Sequence, residues 1–139
     1  MTADEQRLTG LAKRSILIID DDLDLHSFLT MVLEGQGYLV VSALGAAYGL
    51  DLVQLLEPDL VLLDADIPGG DVLNICQVIS APRDAPAIML LAEEEPNETD
   101  WGMATGVGID DIIVKPFDVD ELIARVASLV MDRRDILLQ

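Results

Sequence analysis

Three short clusters carry residue types able to do chemistry: Asp20-Asp21-Asp22, Asp64-Ala65-Asp66 and Lys115-Pro116. Each follows directly on an apolar run, Ile16 to Ile19, Leu60 to Leu63 and Ile112 to Val114. If the first two runs are neighbouring strands, Asp20, Asp21 and Asp64 converge, and three like charges raise one another's pKa unless a cation intervenes. Oxygen-only ligands at close quarters suit a hard divalent ion. Two carboxylates and a carbonyl leave room for waters and a phosphate, as Mg²⁺ prefers. No Lys or Arg lies between Arg14 and Arg83, a span holding eleven acids, and Lys115 is the only such cation between Arg83 and Arg125. A lone ammonium beside carboxylates pairs with one of them and can move onto an incoming phosphoryl group as a point charge. The chemistry these residues suggest is phosphoryl transfer to an aspartate. Asp64 attacks, while the metal and Lys115 neutralise charge on the phosphoryl oxygens.

Five apolar runs must position these groups: residues 16–19, 39–41, 60–63, 87–91 and 112–114. They lack polar alternation, the pattern of strands covered on both faces, and the gaps between them suit crossover helices rather than hairpins. Leu25, Phe28, Leu29 and Val32 fall at helical spacing, with Asp22 or Asp24 as N-cap and Gly35 and Gly37 closing the helix. Further helices are expected through Ala46, Leu50, Val53 and Leu56, and from Asp71 through Ile79. A last one runs from an Asp118/Glu121 capping box through Val130. The polar stretch from Pro96 to Gly106 gives the weakest helical pattern. Strand and helix alternating five times imply an α/β, doubly wound parallel sheet with helices on both faces, whose sites form at the carboxyl ends of the strands. Residues 1–14 read as an N-terminal lead-in, 15–131 as the domain, and 132–139 as a C-terminal helix extension or linker.

The chain has 139 residues, the size of one domain. Eight basic against twenty-six acidic side chains give a net charge of −18, a surface that repels phosphodiester backbones and anionic lipid. Direct nucleic-acid binding and membrane association are therefore not expected. At 51% hydrophobic residues the chain is not of disordered composition. No apolar run approaches the roughly 18 residues of a membrane span, and the single Cys76 reads as a small buried hydrophobe, so a cytoplasmic protein is expected. Trp101 reads as packed, Met31, Met89, Met103 and Met131 as core filler, and the acids from Glu93 to Asp100 as a solvated face. His26 is not expected to be a ligand.

The words ILIIDDD (16–22), PDLVLLDADIPGGD (58–71), APAIMLLAEE (85–94) and GIDDIIVKPFDVDELIARV (108–126), in this order and spacing, resemble the receiver domains of two-component response regulators. The resemblance covers about residues 15–131. It implies the flavodoxin-like five-stranded order 2-1-3-4-5 and Asp64 as phosphoacceptor. It also implies Mg²⁺ on Asp20, Asp21, Asp64 and the backbone carbonyl of Asp66, with Lys115 contacting the phosphate through a Lys115–Pro116 bond that is usually cis. The implied partners are a histidine kinase or histidine phosphotransfer protein and a downstream effector protein. The implied role is a signalling phosphoacceptor rather than an enzyme, limited to its own phosphorylation and dephosphorylation. A homodimer through helix four, strand five and helix five, with Asp110 and Arg125 as a charge pair, is a further expectation.

Two positions depart from the family pattern. Leu91 stands where Thr or Ser normally contacts the phosphoryl oxygen, and Ile112 where an aromatic ring normally changes rotamer. Leucine offers no donor, and β-branched isoleucine cannot swing a ring. These losses motivate a competing reading, a phosphorylation-independent interaction module of the same fold. A third, an aspartyl-phosphate hydrolase of the haloacid-dehalogenase type, rests on Asp64-Ala65-Asp66 alone, and the earlier acidic strand argues against it.

Overall fold

A computed structural model describes residues 13–134 of the chain. Five parallel strands, β1 (Ser15–Ile19), β2 (Leu39–Ala43), β3 (Leu60–Asp64), β4 (Ala87–Ala92) and β5 (Asp111–Val114), alternate with five helices. The helices are α1 (Leu23–Gly35), α2 (Ala46–Leu56), α3 (Val72–Ser80), α4 (Glu98–Gly106) and α5 (Val119–Arg134). The sheet order is β2-β1-β3-β4-β5, so the expected doubly wound, flavodoxin-like fold is the fold of this protein. Because strand order reverses at β1, the loops after β1 and β3 open beside each other at one edge, which is where such sheets place their sites.

Side chains alternate across each strand and build two cores. Leu17, Ile19, Val61, Leu63, Ile88 and Leu90 pack under α2, α3 and α4. Ile16, Ile18, Leu60, Leu62, Met89 and Leu91 pack under α1 and α5 against Leu29, Leu33, Leu122 and Val126. Cys76 lies in the first core, fully buried, and burial pushes its thiol up to about 12.

Local signals set the helix limits. Asp22 caps α1, its carboxylate accepting from the N–H groups of Asp24 and Leu25, and Asp71 caps α3 the same way through Leu73 and Asn74. Gly37 and Gly108 sit at positive φ in the turns entering β2 and β5.

Several expectations are corrected. β2 is covered only in part: Val40 and Ala43 pack toward opposite cores, but the strand order leaves it at the sheet edge, with Leu39 and Val41 exposed. Only the N-cap half of the expected box at α5 forms. Asp118 accepts from the N–H groups of Asp120 and Glu121, while the Glu121 carboxylate accepts from Arg125 at 2.6 Å. The full capping box belongs to α4, between Asn97 and Asp100. Met89 is core, but Met31, Met103 and Met131 are exposed, as is part of Trp101. Arg125 pairs with Asp111 at 3.2 Å and donates to the Ile112 carbonyl at 2.8 Å, while Asp110 accepts the Ile88 N–H at 2.8 Å. Both sets of contacts lie within one chain.

The lead-in expected over 1–14 falls outside the described residues except for Lys13 and Arg14, and Arg14 opens the β1–β2 ladder by accepting the Leu39 N–H at 2.9 Å. Of the extension expected over 132–139, α5 takes in the part up to Arg134 and the rest lies outside the described residues. Among the described residues, no helix is long and apolar enough to cross a membrane.

Candidate functional site

The carboxyl ends of β1, β3 and β5 bring four charged side chains together. Asp20 is the residue directly after β1 and is fully buried, with every polar atom engaged. Its N–H donates to the Ala43 carbonyl at 3.1 Å, Oδ1 accepts the Asp22 N–H at 2.9 Å, Oδ2 accepts from Lys115 Nζ at 3.1 Å, and its carbonyl accepts from His26 Nε2 at 2.5 Å. Burying a carboxylate in this way is tolerable only with charged and hydrogen-bonded partners. Asp64 ends β3, is buried, and lies 3.7 Å from Lys115 Nζ through Oδ1, which also accepts the Asp66 N–H at 3.0 Å.

Backbone ties hold the loops in place. The Ala65 N–H donates to the Leu91 carbonyl at 2.9 Å and the Lys115 N–H to the Ala92 carbonyl at 2.7 Å, so the ends of β3 and β5 are both pinned to β4. The Lys115–Pro116 peptide bond is cis.

Carboxylate oxygens of Asp20, Asp21 and Asp64 lie within 4.8 Å of one another, with Asp21 exposed at the rim. Like charges so close call for a cation, and an all-oxygen donor set fits a hard divalent ion such as Mg²⁺. Asp22 is drawn out of this group by capping α1. Asp66 reaches the site through its backbone N–H, and its exposed carboxylate is not among the grouped oxygens. Glu93, exposed, approaches Lys115 at 3.9 Å.

The electrostatics follow from burial and from these partners. Burial pushes the Asp64 carboxyl above the usual carboxylate range. The Asp66 N–H and Lys115 pull it down, the charges of Asp20 and Asp21 push it up, and the upward influences win. Burial alone would lower Lys115. The hydrogen bond and charge of Asp20, with the charges of Asp64 and Glu93, outweigh it and raise the ammonium above its ordinary value.

Leu91, paired in register with Asp64, is fully buried in the core under α1 and α5, whereas Ile112 is buried in the opposite core with Ala104 and Leu90. Neither side chain carries a polar atom, and the sheet lies between them. One contributor escaped the sequence reading. His26, not expected as a ligand, is buried and anchors the Asp20 carbonyl. The available signal was its place on the buried stripe His26, Leu29, Leu33 of α1.

The model of the response regulator receiver domain family matches residues 16–127. Among curated proteins, the DNA-binding response regulator MtrA of Mycobacterium tuberculosis strain H37Rv is 39% identical over 116 residues, 84% of this chain and 50% of that protein. MtrA of Mycolicibacterium smegmatis is 36% identical over 123 residues, 88% of this chain and 53% of that protein. The chain spans about half the length of the curated relatives it matches. Among solved structures, chemotaxis protein CheY4 of Vibrio cholerae superposes with a TM-score of 0.78 at 21% identity, covering 85% of this chain and 99% of CheY4. The signal receiver domain of a Luxo repressor protein from Vibrio parahaemolyticus gives 0.83 at 15% identity, covering 91% and 97%. Fold, strand order and sequence agree, and this chain belongs to the response regulator receiver domain family.

Proposed function

We propose that Asp64 accepts a phosphoryl group, with Mg²⁺, from the phosphohistidine of a histidine kinase or histidine phosphotransfer protein, and that the domain relays this through protein contacts. The observation that carries the reading is the meeting of Asp20, Asp21 and Asp64 within 4.8 Å, with Lys115 Nζ at 3.1 Å from Asp20 and 3.7 Å from Asp64. In the transfer, an Asp64 carboxylate oxygen bonds to phosphorus while the bond from phosphorus to the donor imidazole nitrogen breaks and the imidazole leaves. Lys115 keeps its proton beside these acids, lowers the cost of ionising Asp64, and offers a point charge to the incoming oxygens. Asp20, Asp21 and Asp64, with the Asp66 carbonyl by family likeness, would hold Mg²⁺. When bound, that ion supplies positive charge to the oxygens of the transferring group. Loss of the phosphoryl group is attack of water, and the exposed carboxylates of Asp66 and Glu93 flank its approach. The domain acts as a cytoplasmic signalling phosphoacceptor, with no turnover of an external substrate.

Relay through Leu91 and Ile112 is degenerate. A phosphoryl group shifts a conformational equilibrium only through contacts that differ between the two states. The missing hydroxyl at Leu91 forgoes a charge-assisted hydrogen bond of about 1.5–3 kcal/mol, and Ile112 has no ring to move. This favours a second reading, in which the fold binds its partner whether or not Asp64 is modified. The relatives' name, DNA-binding response regulator, argues against extending the expectation of no nucleic-acid partner to a longer protein. The charge argument concerns this segment's own acidic surface alone.

Beryllofluoride with Mg²⁺, followed by amide NMR, tests the first reading, and partner affinity tests the second. Binding is expected to shift Asp64, Asp66 and Lys115, and to be lost in Asp64→Asn. No shift at these amides would reject the first reading. A partner whose affinity changes with Asp64→Asn or with removal of Mg²⁺ would reject the second.

A further inference from the structure

We propose that two copies of this chain associate edge to edge, β2 pairing antiparallel with β2 about a two-fold axis at Val41. The proposal is independent of the phosphoryl chemistry. In a chain with eight basic and twenty-six acidic residues, residues 35–50 carry no charge at all, and they include the whole of β2. Edge strands are ordinarily guarded by lysines, prolines or bulges, because their free N–H and C=O groups template further pairing. β2 is the sequence Leu-Val-Val-Ser-Ala, with none of these guards, in unbroken register with β1.

The backbone defines how a second strand would fit. Leu39 donates its N–H to Arg14, and the Ala43 carbonyl accepts from Asp20, so residues 39, 41 and 43 turn their polar groups toward β1. Val40 and Ser42 therefore turn theirs outward. In an antiparallel pair centred on Val41, Val40 of one copy faces Ser42 of the other and exchanges both hydrogen bonds. The arrangement is self-complementary, as a two-fold interface requires.

Apolar surface borders this edge. Leu39 is 52% and Val41 36% exposed, both on the face covered by α2, and Tyr48 and Leu55 of α2 are 59% and 76% exposed. Leu50, Val53 and Gln54 of α2, with Glu57 directly after it, line the groove toward α3. Tyr48 and Leu55, seven residues apart, consequently occupy the opposite flank, above β2. Asp51 falls nearer the solvent side of that helix. A contiguous apolar patch of this kind marks an interaction site. Charge selects the occupant. Two copies at −18 each repel one another wherever acids meet, and this edge brings uncharged strand against uncharged strand.

Sedimentation velocity of the full chain from micromolar to millimolar concentration tests the proposal. The dimer fraction is expected to rise with concentration and also with NaCl, which screens the long-range repulsion. An interface built on ion pairs would weaken instead. Val41→Lys, checked for folding by circular dichroism, is expected to remain monomeric. Residues facing each other in a non-hydrogen-bonded antiparallel pair have Cα atoms about 4.5 Å apart, within the roughly 4.4–6.8 Å of disulfides. Val41→Cys is therefore expected to cross-link under mild oxidation much faster than Met131→Cys, an exposed control on α5, with native Cys76 buried and out of competition. A chain monomeric at every concentration, with Val41→Cys no faster than the control, overturns the proposal and leaves the edge to a strand of another protein. A dimer that survives Val41→Lys, or that salt dissociates, overturns it as well.

Discussion

Lys115 Nζ stands closer to Asp20 than to Asp64, 3.1 Å against 3.7 Å, so the one cation at the site among the described residues is hydrogen-bonded to the deepest carboxylate and leans toward the other. Asp20 is fully buried, and Lys115 is its charged partner.

Replacing Lys115 by Met is accordingly expected to destabilise the metal-free protein by about 2 kcal/mol, less than the roughly 3–5 kcal/mol of a fully buried pair because the lysine is partly exposed. Added Mg²⁺ should then raise the melting temperature of the variant more than that of the wild type. Equal shifts in the two proteins would show that lysine and metal do not share the same carboxylates.

Asp64 titrates above the ordinary carboxylate range in the folded protein. Between its unfolded and folded pKa the folded state binds more protons, so stability falls as pH rises through that window and is greatest below it. Asp64→Asn should remove this dependence and stabilise the metal-free protein at neutral pH. Urea titrations of wild type and variant across the carboxylate range measure it, and parallel pH profiles would refute it.

His26 acts on the site through the Asp20 carbonyl. His26→Leu leaves that buried acceptor unpaired, a loss of about 1–3 kcal/mol, and should loosen Mg²⁺ binding through misplacement of Asp20. His26→Gln, which keeps a donor, should recover part of the metal affinity by calorimetry. Equal affinity in the Leu and Gln variants would reduce His26 to packing.

Gly108 enters β5 at φ +88°, and a Cβ there would come within 2.4 Å of the Ser80 Cβ. Gly108→Ala combines a disfavoured backbone with overpacking, and about 1–3 kcal/mol of destabilisation is expected in a urea melt. An unchanged midpoint would mean that α3 and the turn before β5 separate freely.

Much of the fold was legible because β1, β3, β4 and β5 are apolar on both faces, and burial under two helical layers is what unbroken runs such as Leu60 to Leu63 signify. β2 has the same composition, and nothing in Leu39 to Ala43 reports that topology leaves it on an edge. Strand order came from family resemblance rather than from residue pattern. Helix α4 was obscure because its start is secured by a polar pair, Asn97 and Asp100, inside an acidic stretch, with Ala104 its one buried residue. The meeting of Asp20, Asp64 and Lys115 was readable from their positions at strand ends. The anchoring by His26 was not, since a single histidine on an apolar stripe carries no spacing pattern.

The most direct test of the central claim is the intact mass of wild type and Asp64→Asn after incubation with acetyl phosphate. A single phosphoryl adduct is expected on wild type with Mg²⁺ present, absent with chelator and absent in Asp64→Asn. An unmodified wild type under these conditions, or an adduct that persists in Asp64→Asn, would contradict it.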